Sequence, residues 1–375
     1  MKINRHYLIL LSAVLLLGSC SHDNAYMEDS LNVKEHLLTA ETTDEAEVEL
    51  PDLSFDHDFT LHDDFAYFDD LERVVEPSEC GPTAFDAAVS ETINENLDIY
   101  GLLYYDTYAT INFYMSLVDT SEQFFGAEGE YTQLMNKRVR NLEKFWNMSG
   151  EIDVKGQHNS NFENIELMRE TLPYITVPGT DIEAFIQDIL LINELSTFLI
   201  ENPFVSFDGF AIQIDNFFGK GQDNIIVISD GIVGVMTKTG IDAGIIWTGI
   251  LAHEWSHQIQ FKNNWTYPID PTNIAEATRA TELEADFTAA YYMTHKRGAT
   301  YNWKRVEGFF ELFFNIGDCS FDSDGHHGTP LQRMEAARKG FELVQSEKKN
   351  GHISSTQQVH DAFLDEYDAI IAPEL

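Results

Sequence analysis

The feature that most constrains this chain is the segment 253–257, which reads H-E-W-S-H. Residues four positions apart on an α-helix lie one turn above each other, so His253 and His257 can reach the same metal ion. Glu254 follows the first histidine, where its carboxylate can meet a metal-bound water without binding the metal itself. The alternative is an amphipathic helix with two surface histidines. The apolar residues of 245–251 argue against it, because they predict a buried helix and buried imidazoles need polar partners.

A catalytic zinc ion takes three protein ligands and keeps one coordination position open. The next predicted helix supplies Glu282, Glu284 and Asp286, and Glu282 follows His257 by 25 positions, room for a turn and an antiparallel return. Asp286 lies one helical turn beyond Glu282 and is expected to accept the second ring N–H of a ligating histidine. Glu284 points away from that face and is the weaker candidate. We therefore predict a Zn²⁺ site formed by His253, His257 and Glu282.

The two motifs together, H-E-x-x-H and then E-x-x-A-D on the next helix, resemble those of the gluzincin-type zinc metallopeptidases. This group includes the neutral zinc metallopeptidases of bacteria and the CAAX prenyl endopeptidases. The resemblance covers 208–340 and implies a zincin-like domain, with a short edge strand before the motif helix that pairs with the substrate backbone. The segment 225–229 occupies the position of that strand. Arg279 matches the Ser/Thr-Arg pair that often precedes the glutamate of these families.

The same resemblance extends to a short segment after the glutamate helix. Residues 327–330 read H-G-T-P and, with Arg333, are similar to the small histidine-containing segment that such peptidases carry there. In the implied mechanism, zinc polarises the scissile carbonyl and Glu254 passes a proton from water to the leaving amine. A hydrogen-bond donor should also stabilise the oxyanion. The candidates for that donor are His327, then His326 and Tyr291. The alternative for the two histidines is an exposed polar loop.

Residues 1–19 are predicted to be a lipoprotein signal peptide. A basic start is followed by the apolar run 7–17, which is shorter than the roughly 20 residues that span a bilayer. The run ends in L-G-S-C, which resembles the lipobox of bacterial lipoproteins, whose cysteine (here Cys20) becomes the lipidated first residue. This predicts an extracytoplasmic protein anchored by lipid to a bacterial membrane, at the outer membrane or cell surface. The alternative is an ordinary secretory signal followed by a chance cysteine.

The segment 20–79 is predicted to be an acidic flexible tether. Between residues 21 and 79 there are 19 acidic residues and two basic ones, and such a run repels itself. The formal net charge of −40 argues against nucleic acid as a partner, because phosphate binding needs clustered lysines and arginines. Cys80 and Cys319 could pair in an oxidising compartment or remain two buried thiols.

The rest of the chain, 80–375, is predicted to be a zincin-like catalytic domain of the α+β class, mainly α. Its expected parts are a helical N-terminal part at 80–205 and a zinc-binding core at 206–340. Short β-branched runs at 210–214 and 225–228 predict a small β-sheet before the motif helix.

These features predict a lipid-anchored metalloendopeptidase that acts on peptide or protein substrates. Two alternatives stay open. One is a surface lipoprotein that binds a protein or glycan and keeps a structural or relic zinc site; a structural site would need a fourth protein ligand. The other is a zinc hydrolase that acts on a non-peptide amide.

Overall fold

The computed structural model describes residues 84–215, 222–267, 269, 273–314, 328–347 and 351–372. Most of these residues are helical, and a small β-sheet lies among the helices. This confirms the predicted α+β class with mainly α content. The helices are α1 (Ala84–Asn94), α2 (Ile99–Val118), α3 (Thr132–Trp146), α4 (Ile165–Ile175), α5 (Ile182–Leu195), α6 (Thr197–Glu201), α7 (Asp230–Thr237), α8 (Ala243–Asn263), α9 (Ile274–Thr294), α10 (Trp303–Phe314), α11 (Pro330–Glu347) and α12 (Thr356–Ile371), with 3₁₀ turns at Asn159–Glu163 and Pro203–Ser206. The strands are β1 (Asp153–Gln157), β2 (Gly209–Asp215) and β3 (Gln222–Ser229).

The sheet corrects one expectation. The segment 225–229 was expected to be an edge strand, but it belongs to β3, which is the central strand of the order β1-β3-β2. Strand β3 runs parallel to β1 and antiparallel to β2. The prediction was wrong because β1, which reads D-V-K-G-Q, lacks the alternation or the β-branched run that marks a strand. In the described part of the chain, β2 is the edge strand that packs against the motif helix α8.

The sheet also joins the two predicted parts of the domain. Strand β1 lies within 80–205, yet its residues pair with β3 of the 206–340 part. Successive residues of a strand point to opposite faces of the sheet. Ile225 and Val227 accordingly pack into a core formed mainly by α2, α4 and α5, whereas the alternate residues Ile226 and Ile228 pack into a larger core around α8 and α9. The metal-site motifs belong to the larger core.

Helix α8 runs through the interior rather than along the surface. Its residues 245–260 are all buried, which confirms the burial predicted from the flanking apolar residues. The Asp242 side chain caps its start by accepting the Ile245 backbone N–H at 3.2 Å, and Asn264 ends it in the left-handed conformation, with φ of 47°. The helix that carries the H-E-x-x-H segment is therefore capped at both ends, and the segment itself is buried.

Helices α11 and α12 pack against α9 and complete the larger core. A Cβ atom at Gly340 of α11 would lie 2.0 Å from the Phe287 backbone oxygen of α9, so only glycine allows this close approach. In the residues that the structure describes, no helix has the length and apolar character required to cross a membrane.

Candidate metal centre

The three predicted ligands meet in the larger core. The Nε2 atoms of His253 and His257 are 3.1 Å apart, and the Glu282 carboxylate oxygens lie 3.2 Å from His253 Nε2 and 3.3 Å from His257 Nε2. These three residues form a group that could hold a metal ion. In a tetrahedral site with metal–ligand bonds of about 2.0–2.1 Å, neighbouring ligand atoms are about 3.3 Å apart. The two Nε2 atoms, and the Glu282 oxygen nearest to each of them, are therefore close to the spacing that a tetrahedral ion requires.

The group is almost fully enclosed by protein. His253 is completely buried, and Glu282 and His257 are 3% and 6% exposed. Burial lowers the pKa of His257, but the Glu282 carboxylate, with a smaller contribution from Glu254, outweighs it and leaves the pKa above its ordinary value. A metal ion must displace such a proton before it can use the ring nitrogen.

The ring of His253 is oriented by an ion pair. Its Nδ1 lies 3.0 Å from Asp286 Oδ1, the contact expected from the spacing of the two acidic residues. Arg333 of α11 donates to both oxygens of Asp286, at 2.7 and 3.0 Å, and is itself 2% exposed. Burial raises the pKa of Asp286, but Arg333 and His253 outweigh it and hold the pKa below its usual range. Asp286 is therefore an ionised acceptor that lies between His253 and Arg333.

The comparisons with known proteins add nothing to this geometry. No family model, curated protein or solved structure matches the chain. The function must therefore be inferred from the residues themselves.

The ring of His257 is oriented by a neutral side chain. Gln260, one turn further along α8, places its Oε1 at 2.8 Å from His257 Nδ1. The Gln260 amide donates to Glu284, and Glu284 accepts from His360 of α12. Glu284 is thus turned away from the metal group, as expected, and it is buried. Neither Gln260 nor His360 was predicted from the sequence. The position of Gln260, three residues after a ligand, was the available signal, whereas His360 gave none.

Two other predicted residues lie within the described part of the chain, and the contacts described below direct both of them to residues outside the metal group. Tyr291, a candidate oxyanion donor, donates its hydroxyl to Glu347 at 2.7 Å and accepts the Ser354 backbone N–H at 2.9 Å. That hydroxyl is engaged at the α9–α11 contact, so Tyr291 is not supported in the role. Arg279 pairs with Glu276 on its own helix.

Glu254 is completely buried in α8 beside the first ligand. The remaining predicted residues and segments lie outside the described residues: the signal peptide 1–19, the tether 20–79, Cys20, Cys80, Cys319, His326 and His327. Their roles stay predictions.

Proposed function

We propose that this chain is a zinc-dependent peptidase of the gluzincin type, with zinc held by His253, His257 and Glu282 and with Glu254 as the catalytic base. The observation that carries the proposal is the buried group of donor atoms, in which the two Nε2 atoms are 3.1 Å apart and each lies 3.2–3.3 Å from one of the two Glu282 oxygens. A helix with two surface histidines would not bring a third ligand from another helix to this spacing.

The donor set favours zinc and a catalytic site. Two imidazole nitrogens and one carboxylate oxygen are typical zinc ligands, and three protein ligands leave one position open. Among the described residues, no fourth histidine, cysteine, aspartate or glutamate joins the group. A structural site is usually closed by four protein ligands, so this composition argues against the binding-protein alternative.

When bound, zinc would polarise the scissile carbonyl and lower the pKa of the attacking water. Glu254 would accept the proton of that water and deliver it to the leaving amine, a role that its place next to the first ligand supports. Asp286 would keep the ring of His253 in position, because it accepts from Nδ1 and is fixed by Arg333. His327 remains the proposed oxyanion donor.

The substrate backbone is proposed to pair with β2 rather than with β3. The central position of β3 leaves it no open edge, whereas β2 is hydrogen-bonded on one side only in the described part of the chain. Gln258 of α8 donates to the Ile212 and Ile225 backbone oxygens, which ties β2 and β3 to the motif helix. An extended peptide added at β2 would run beside the helix that carries the ligands.

The proposed setting is extracytoplasmic. The predicted lipid anchor at Cys20 and the acidic tether 20–79 would hold the zincin-like domain away from a bacterial membrane. The substrate is then a peptide or protein that reaches that compartment.

The proposal is tested on the chain that begins at Ser21, without the predicted lipid. Elemental analysis should find about one zinc per chain. Glu254→Gln should retain that zinc and lose about 100- to 10,000-fold in peptide hydrolysis, the usual contribution of a general base. The control is Glu201→Gln, which changes an exposed glutamate at the end of α6 and should alter neither quantity.

Each of the other outcomes would refute a distinct part of the proposal. A folded chain that takes up no zinc would make the motif a relic and favour the binding protein. Full activity in Glu254→Gln would remove the base assignment. Zinc binding with hydrolysis of non-peptide amides, but not of peptides, would favour a zinc hydrolase that acts on non-peptide amides.

A further inference from the structure

The ring of His257 is held from both sides. Its Nε2 faces His253 and Glu282 in the metal group, while its Nδ1 lies 2.8 Å from the Oε1 atom of Gln260. Gln260 is 9% exposed, so water has little access to this hydrogen bond. A second partner for a ligating histidine generally decides which ring nitrogen carries the proton.

The surrounding contacts fix which end of the Gln260 amide faces the histidine. The amide nitrogen donates to the Thr281 backbone oxygen at 2.8 Å and to Glu284 at 3.2 Å. A backbone carbonyl can only accept, so the nitrogen must face Thr281 and the oxygen must face His257. An oxygen in that place requires a proton on Nδ1. In the neutral ring, this leaves the Nε2 lone pair free to bind the metal.

Glu284 is in turn fixed by donors from three parts of the chain. His360 Nδ1 of α12 lies 2.6 Å from one of its oxygens, and the other accepts from the Tyr267 hydroxyl and from Gln260. The His360 ring stacks on Trp265, with ring centroids 4.1 Å apart and planes inclined by 16°. The carboxylate that anchors Gln260 is therefore held by the C-terminal helix and by the segment after α8.

We propose that Gln260 is a positioning residue of the metal site, which holds His257 in the tautomer that presents Nε2 to the metal, and that Glu284 and His360 keep Gln260 in that orientation. This assignment rests on the proposed function, because it requires that the group binds a metal. It extends the site beyond its predicted boundary at residue 340, since His360 of α12 takes part.

A purely structural role for Gln260 makes a different prediction. Its amide also ties α8 to α9 through Thr281, and that tie would affect stability without changing the ion's coordination. The decisive measurements are therefore metal affinity and the coordination spectrum, with stability measured in parallel.

The chain offers a matched control on the same helix. Gln258 is 2% exposed, like Gln260 it uses its amide to tie α8 to neighbouring backbone, and its amide donates to sheet carbonyls instead of facing the ligands. Gln260→Met and Gln258→Met each keep the side-chain length and remove the amide. Both variants should lower the unfolding temperature of the metal-free protein.

Only Gln260→Met should lower the zinc affinity. The expected loss, measured by competition with a chelator, is about 10- to 100-fold, which is usual for a residue that orients a ligand. It should also shift the visible absorption of the cobalt-substituted protein. Gln258→Met should stay within about threefold of the wild type, because the Gln258 amide donates to backbone oxygens of the sheet and not to a ring of the metal group. Equal zinc affinity in Gln260→Met and the wild type would overturn the assignment. Absence of zinc binding in the wild type would instead overturn the proposed function, and this inference with it.

A measurement on the zinc-loaded wild type covers the case in which Gln260→Met fails to fold. Nitrogen-15 NMR of the histidine rings should show His257 with zinc on Nε2 and a proton on Nδ1 that exchanges slowly with solvent. Zinc on Nδ1, or an Nδ1 proton that exchanges as fast as in an exposed histidine, would exclude Gln260 as the partner.

Discussion

The two histidines of the metal group are oriented by chemically different partners. His253 faces Asp286, an ionised carboxylate paired with Arg333, whereas His257 faces the neutral amide of Gln260. A carboxylate acceptor increases the basicity of the ring that it holds, while an amide orients the ring and adds no charge. One ligand thus has a charged support and the other has a neutral one.

The charged and the neutral support also depend on different helices. The charged side depends on α11 through Arg333, and the neutral side depends on α12 through His360. With Glu282 already contributing a negative charge, a second ionised acceptor on His257 would add repulsion inside a buried site. The Gln260 amide provides the required acceptor at His257, while Glu284 contacts the amide nitrogen of Gln260 and not the ring. The two sides should therefore respond differently to substitution.

The largest effect is expected on the charged side. Asp286→Asn removes the carboxylate that the buried Arg333 contacts at 2.7 and 3.0 Å, while the Glu282 carboxylate stays 3.9 Å from the guanidinium. The free energy of unfolding should fall by about 3–5 kcal/mol, the typical cost of removing one partner of a buried ion pair. Zinc affinity should fall by about 10- to 100-fold. Urea unfolding and chelator competition measure the two quantities.

The double variant Asp286→Asn/Arg333→Met separates these effects. It also removes the Arg333 charge that lost its Asp286 partner, so most of the stability should return, while the zinc affinity should stay low. Recovery of the zinc affinity as well would mean that Asp286 pairs with Arg333 but does not orient His253 for the metal.

The second effect concerns pH. Because the pKa of His257 is raised in the metal-free site, protons compete with the metal for this ring, and acidification must weaken binding. Below that pKa, zinc affinity should fall by about tenfold for each pH unit, since one proton is displaced per ion. Chelator competition in a series of buffers from neutral to mildly acidic pH checks the slope. A flat profile would show that the ring is neutral before the metal arrives.

A smaller effect is expected from a substitution of His360, which supports Gln260 through Glu284. His360→Phe keeps a ring against Trp265 but removes one of the three donors to Glu284. Stability should fall by about 1–3 kcal/mol, and zinc affinity by less than about tenfold, because Tyr267 and Gln260 still hold the carboxylate. A loss as large as that of Gln260→Met would show that this network moves as a rigid unit.

The smallest effect on the metal is expected from the other core. Ile189 is completely buried in the core of α2, α4 and α5, on the opposite face of the sheet from the metal group. Ile189→Ala should cost about 2–5 kcal/mol of stability, yet leave zinc affinity within about twofold because the sites are distant. Thermal unfolding and zinc titration of the same sample provide the test. A parallel loss of affinity would show that the two cores are coupled.

The residues that could hold a metal ion were predictable because local geometry sets their spacing. The four-residue spacing of His253 and His257 on a helix, and that of Glu282 and Asp286 on the next, follow directly from the helical period. The apolar residues around the motif likewise indicated its burial. These signals lie within single helices, where sequence and structure are most directly related.

What could not be predicted depends on contacts between distant segments. Strand β1 is formed by parallel pairing with β3, about 70 residues later in the chain, and its own sequence carries little strand character. The edge position expected for 225–229 failed for that reason. His360 lies 76 positions from Glu284, and no spacing rule connects them.

Gly340 limits how freely this part of the chain can vary during evolution. It has no polar side chain and lies seven positions after Arg333, yet it sets how close α11 comes to the Phe287 backbone. A methyl group at this position would push α11 outwards. The Arg333 guanidinium would then move away from Asp286, the carboxylate that orients the His253 ring. A mutation from glycine to alanine, harmless in most helices, would therefore be expected to be selected against here through its effect on metal binding.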